Sequence, residues 1–297
     1  MTSTNTIVVW TDPQPGHAHK PHAVYWARSG LILGPNYFDD QRLLEFPLTG
    51  EPLEWVKQKF AQEPNAHIKF CERDVGQFHP RFYQGGYYLR DVSLFEAYSG
   101  AEHNAAASSA EQIDILIEDL TKVCRVAAPD NATDGVYGSE IRNILILACT
   151  EVEAQLRGIL KINGYSVKDD QLNMGHYARV AGPMKLDRYG AKLNSYRDYA
   201  EIKPFEGWAS GKRLPWYQSY NSTKHDREGK FDVATLAHAI NAVAALEILL
   251  FAEYGPGIER ASRFFTVVNR PTWEPPQYTH AHPVTPDTWT PVNFDFA

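Results

Sequence analysis

The stretch FDVATLAHAINAVAALEILLFAEYG, residues 231–255, is apolar around most of a helical circumference, and it constrains the fold more than any other feature of the chain. A helix with no polar face has none to offer to water, so other helices must enclose it at the centre of a bundle. Its longest apolar run, residues 242–252, is interrupted by Glu247 and falls short of the roughly 20 apolar residues that cross a bilayer. Gly255 and Pro256 end it.

Partners for that helix stand upstream. In SAEQIDILIEDLTKVCRV, Ile113, Leu116, Ile117, Leu120, Val123 and Cys124 fall on one stripe at the i, i+3, i+4 spacing of an amphipathic helix. A second helix is expected from Ser139 as N-cap, with Arg142 at the third helical position. It carries Ile144, Leu145, Leu147, Ala148, Val152, Leu156 and Ile159 and stops at Asn163 and Gly164. Residues 165–208 show weak periodicity and are expected to wind over the helices. A short helix begins near Pro215, a residue suited to a first turn.

The first hundred residues read differently. The runs at residues 7–10, 23–34, 67–72 and 86–95 are short, aromatic and β-branched, with Pro and Gly turns between them, which is strand chemistry. One helix interrupts them at residues 51–62, with Leu53, Val56 and Phe60 at helical spacing and Trp55 off that stripe. The small polar stretch EHNAAASS, residues 102–109, reads as a linker or a helix lead-in and marks the domain boundary. RFFTVVNR, residues 263–270, resumes strand character and is expected to return to the N-terminal sheet, ahead of a Pro-rich tail. The plan is α+β: a mainly β region over residues 1–105, a helical region over 109–256, and a strand with a Pro-rich tail over 257–297.

Composition excludes several classes. With 297 residues, 43% of them hydrophobic, the chain can bury a substantial core. Its start lacks a basic and then apolar leader, so a cytoplasmic protein without a membrane segment is expected. Cys71, Cys124 and Cys149 form no CxxC pair, which disfavours a disulfide framework or zinc knuckle. His17, His19 and His22, like His280 and His282, lack supporting Cys or carboxylate neighbours. Glu151 and Glu153 sit two apart, where helical side chains diverge, so no metal pair is expected. Gly85 and Gly86 belong to no phosphate-cradling pattern, and no cofactor is called for. A net charge of −7 argues against indiscriminate binding to phosphate backbones, but not against a local basic patch.

Such a patch exists. From residue 212 to 230 there are five basic residues (Lys212, Arg213, Lys224, Arg227, Lys230) against two acidic ones (Asp226, Glu228). Inside it, LPWYQSYNSTKHDR sets Tyr217, Asn221 and His225 four residues apart on one helical face, with Lys224 beside them and Arg227 just beyond. Trp216 and Tyr220 add aromatic surface, and Arg213 adds charge. This set suits in-line cleavage of RNA, where a His near neutral pKa moves the 2′-hydroxyl proton and a cation steadies the phosphorane-like charge. His225 takes the first role, while Lys224, Arg227 or Arg142 supplies the second. Asn221 orients His225 or a phosphate oxygen. Arg142 also opens a long helix against the macrodipole, so a partner such as Asp226 or a phosphate is expected.

The paired helices, the SEIRN helix start and the YNSTKHDR helix ahead of a long apolar helix resemble the HEPN superfamily of small helical domains. The helical pattern covers residues 109–255 and the motif covers residues 220–227. The resemblance implies an RNA-cleaving cleft at a homodimer interface and a place in antiviral or toxin systems. It carries over His225 as the catalytic His and Asn221 as the polar residue of the signature. The family's Arg, a turn or so before the His, falls on Gln218, Ser219 or Tyr220, none of them basic. Either Arg142 or Arg227 replaces it in space, or the same helix serves a non-catalytic protein that binds a partner or holds a dimer together.

Overall fold

A computed structural model describes residues 5–11, 21–28, 30–34, 44–74, 77–84, 100–225, 229–255, 264–273 and 290–296. It divides into two compact units. One comprises Met1–Pro80, Gln84–Ala97 and Thr272–Val292, the other Arg81–Tyr83, Tyr98–Pro271 and Asn293–Ala297. Strands dominate the first and helices the second, a mixed α+β architecture.

The first unit is built on strands β1 (Thr6–Trp10), β2 (Pro21–Arg28), β3 (Leu31–Gly34), β4 (Leu44–Pro47) and β5 (His67–Phe70). They form an antiparallel sheet in the order β4-β3-β2-β1-β5, so β1 is flanked on both sides. Its residues Thr6 to Trp10 are all buried, as the continuous apolar run IVVW requires. The pleat sends Ile7 and Val9 to one face, with Tyr25, Ile32 and Val56, and Val8 and Trp10 to the other, with Cys71. The expected run at residues 23–34 is two strands, turned at Gly30 with φ 78°. Helix α1 (Pro52–Lys59) buries Val56, while Trp55 packs against Phe46 and Tyr25. A short parallel pair joins β6 (Gln77–Phe78) to a C-terminal strand at Thr290–Pro291. The run expected at residues 86–95, and His17, His19, Gly85, Gly86, His280 and His282, lie outside the described residues.

The helical unit contains α2 (Gly100–Cys124), α3 (Ser139–Ile162), α4 (Met174–Tyr177), α5 (Pro215–His225) and α6 (Leu236–Tyr254). Helix α6 is the core element: fifteen of its residues are buried, and α2, α3 and α5 pack around it. By length and composition alone it could cross a membrane, yet most of it is buried in the fold. Thr235 caps its start and Gly255, at φ 75°, ends it. In α2 the predicted stripe is buried at Ile113, Leu116, Leu120 and Cys124. All three cysteines are buried.

Three local expectations are corrected. Of the two readings of residues 102–109 the helix lead-in holds and the linker does not: they lie inside α2, because Ala-rich sequence favours helix and Ala106 packs into the core. Ser139 is the first residue of α3 and Gly138 the cap residue, with no side-chain cap bond. Strand β8 (Phe265–Val268) does not return to the N-terminal sheet. It pairs antiparallel with β7 (Gly190–Leu193), Gly190 facing Val268, within the helical unit.

Candidate functional site

Helix α5 has two faces of different chemistry. Trp216, Ser219, Tyr220 and Thr223 are buried. Trp216 Nε1 donates to the Pro204 carbonyl at 2.8 Å, Ser219 Oγ to Val233 at 2.6 Å and Thr223 Oγ1 to Ser219 at 2.8 Å, so the polar atoms on this inner face are satisfied. The other face carries Tyr217, Gln218, Asn221 and Lys224, and with Leu214 just ahead of the helix it opens on a cavity of about 790 Å³.

Three further segments complete the cavity wall. Helix α3 contributes Glu153 and Arg157, one turn apart. Helix α4 and its flanks contribute Asn173, Met174 and Tyr177, and the turn before α5 contributes Trp208, Lys212 and Arg213. Asn173 caps α4, its side chain accepting from the Gly175 amide at 2.9 Å. Lys212, Arg213 and Lys224 are exposed, whereas Glu153, Arg157, Tyr217 and Asn221 are half-buried. Four cations against one carboxylate make the wall positive on an acidic chain.

Two hydrogen bonds order this wall. The Tyr217 hydroxyl donates to Glu153 Oε1 at 2.5 Å, and burial followed by that bond raises the Tyr217 pKa well above the ordinary value, keeping the phenol protonated. Lys224 Nζ donates to the Tyr220 hydroxyl at 3.0 Å, a bond that raises the ammonium pKa. The Tyr217 and Tyr220 ring centroids stand 5.4 Å apart. Arg157 is held charged by the Tyr177 hydroxyl, while its buried Nε has no hydrogen-bond partner among the described residues. Lys212 pairs with Glu206 at 2.9 Å on the surface.

The predicted site residues therefore separate. Tyr217, Asn221, Lys224 and Arg213 share the cavity. Trp216 and Tyr220 are core residues, 1% and 2% exposed, and are unavailable as binding aromatics, although the Tyr220 hydroxyl still receives Lys224. Arg142 does not line the cavity. Eleven residues before Glu153 on α3, it lies roughly 16 Å along the helix axis, with its guanidinium 5.1 Å from the Phe231 ring centroid and no ion pair among the described residues. His225 is the last residue of α5, one turn past Asn221; its side chain and the whole of Asp226 and Arg227 lie outside the described residues. Sequence reasoning missed Arg157 and the use of Glu153. Their spacing of four on one helix was visible, but not that this face meets α5. No family model matches the chain, and no curated protein or solved structure matches it.

Proposed function

We propose that this chain is a HEPN-like RNA-binding protein whose helical unit acts as a metal-independent endoribonuclease, assembled as a homodimer. The observation that carries the reading is the outer face of α5, where Tyr217, Asn221 and Lys224 open on a cavity walled by Arg157, Lys212 and Arg213. Clustered cations on an acidic protein favour a polyanion at one place and repel it elsewhere. The cavity is large enough for a nucleotide, well beyond the needs of a bare phosphate. In the reaction, the ribose 2′-oxygen attacks the adjacent phosphorus and the bond to the 5′-oxygen breaks, leaving a 2′,3′-cyclic phosphate and a 5′-hydroxyl. His225 accepts the 2′-hydroxyl proton, and water returns one to the leaving oxygen. Arg157 and Lys224 stand in for the missing Arg of the signature as stabilisers of the phosphorane charge. The resemblance at residues 220–227 extends the reading to antiviral defence.

The departure in that signature favours a second reading, a non-catalytic interaction or dimerisation protein. Of the three positions that would hold the Arg, Gln218 faces the cavity, while Ser219 and Tyr220 are buried. Incubation of the full chain with a mixed RNA pool in EDTA, beside a His225→Ala variant, separates the two. Cyclic-phosphate products lost in the variant support cleavage. Equal background in both leaves binding alone.

A further inference from the structure

Within a cavity that otherwise favours phosphate, Glu153 is the one acidic lining residue. A carboxylate a few ångström from a bound phosphate opposes it, unless donors on the same ligand meet the carboxylate. Glu153 is presented for such a meeting. The Tyr217 hydroxyl fixes Oε1 from one side. Oε2 makes no hydrogen bond among the described residues, and the side chain is half-buried on the cavity wall. Burial and its bond to Glu153 keep the Tyr217 phenol protonated, so it remains the donor to Oε1. Leu172, Met174 and Leu214 supply apolar surface against which a flat ring can lie.

A pair of neighbouring acceptors selects among bases. On its Watson–Crick edge guanine presents two adjacent donors, N1–H and N2–H. Adenine, cytosine and uracil each set an acceptor beside their donor, which would face a carboxylate oxygen. Arg157, Arg213 and Lys224 remain for the phosphate. We infer that Glu153 is the specificity-determining residue of this cavity and that the cavity takes an unpaired guanine carried on a ribose phosphate, within a single strand or as a free guanine nucleotide. Only the strand form rests on the RNA-binding reading above.

The test measures binding of an all-uridine oligoribonucleotide, of the same strand carrying one central guanosine, adenosine or cytidine, and of GMP beside AMP and UMP, to the wild-type chain and to Glu153→Gln. The expected result is a preference of about tenfold for the guanine ligand of either series. Glutamine still accepts from Tyr217 but no longer offers two acceptors. In Glu153→Gln the preference should collapse to within about twofold, while affinity for the all-uridine strand holds or rises because a negative charge is gone. A merely structural role for Glu153 would weaken every ligand equally and leave the preference intact, which overturns the proposal. Equal binding of all strands by the wild type also overturns it and leaves RNA binding standing. Preferential binding of GMP with no strand bound supports the guanine site and removes the RNA reading. Absence of any binding overturns both.

Discussion

The Tyr217 hydroxyl donates to Glu153 Oε1 at 2.5 Å, joining α5 to α3 at the wall of the cavity. It is a tertiary contact between residues 64 positions apart, and it couples the outer face of α5 to a carboxylate that the motif around Asn221 does not contain. The charge balance of the site is therefore set by two helices and a turn together: α5 supplies Lys224, the turn before it Lys212 and Arg213, and α3 Glu153 and Arg157.

Tyr217→Phe should cost about 1 kcal/mol of stability, because the bond goes to a charged acceptor that remains half in water. A double-mutant cycle with Glu153→Ala, followed by chemical denaturation, should return a coupling energy of the same size. A coupling indistinguishable from zero would mean that the contact does not hold the two helices together.

Lys224→Ala and Arg213→Ala should each weaken RNA binding across all sequences. Each should lower the slope of log affinity against log salt by about one unit, the signature of one lost phosphate contact. Arg142→Ala, although it removes a cation from the same unit, should leave that slope unchanged, since Arg142 lies over Phe231 and away from the cavity. Binding isotherms at several salt concentrations decide the matter.

How far the fold was legible depended on whether a signal was local. The IVVW strand and the helix around Ala242 needed only β-branched content and an apolar circumference, and both form as read. Pro215 announced the first turn of α5. The burial of Trp216 and Tyr220 was not legible, because Ser219 and Thr223 share their face and break the apolar pattern. Those hydroxyls are accommodated by carbonyls of Val233 and Ser219, which no periodicity reveals. Strand β7, GAKL, carries too short an alternation to show itself, so its pairing with Phe265–Val268 was missed as well. At the site, Tyr217, Asn221 and Lys224 could be grouped by helical spacing. Glu153 and Arg157 could not, since only the packing of α3 against α5 brings them there.

Trp216→Ala should destabilise the helical unit by roughly 3–5 kcal/mol, the cost of emptying a large core site, and should also strand the Pro204 carbonyl that Trp216 Nε1 now satisfies. Near-UV circular dichroism and thermal unfolding would report it. A folded variant of unchanged stability with weakened RNA binding would instead return Trp216 to the binding surface.

Glu253 gives the helical unit a pH dependence with a definite sign. It is fully buried on α6, where Arg81 Nε donates to its Oε2 at 2.7 Å and the Arg81 guanidinium also reaches Gln155. Burial raises the Glu253 pKa to about 6 against the opposing pull of Arg81. Between the ordinary carboxylate value and about 6 the folded chain holds a proton that the unfolded chain has released. The contribution is thus fully present below about pH 4.5 and is lost as pH rises through 6, amounting to about 2 kcal/mol. His79, in the other unit, acts in the opposite sense: burial first, then Arg73, lowers its pKa to about 4, so its contribution is lost as pH falls from 6.5 toward 4. Stability differences between variant and wild type cancel the His79 part. Glu253→Gln should therefore gain stability relative to wild type as pH rises from 4.5 to 7. Arg81→Ala removes the only ion-pair partner of Glu253 among the described residues, so Glu253 should titrate higher still. The penalty for that variant should reach about 3–5 kcal/mol near pH 7 and shrink near pH 5, where the carboxyl is protonated. Urea denaturation at pH 5, 6 and 7 checks both slopes, and a penalty for Arg81→Ala independent of pH would mean that the pair carries no buried charge.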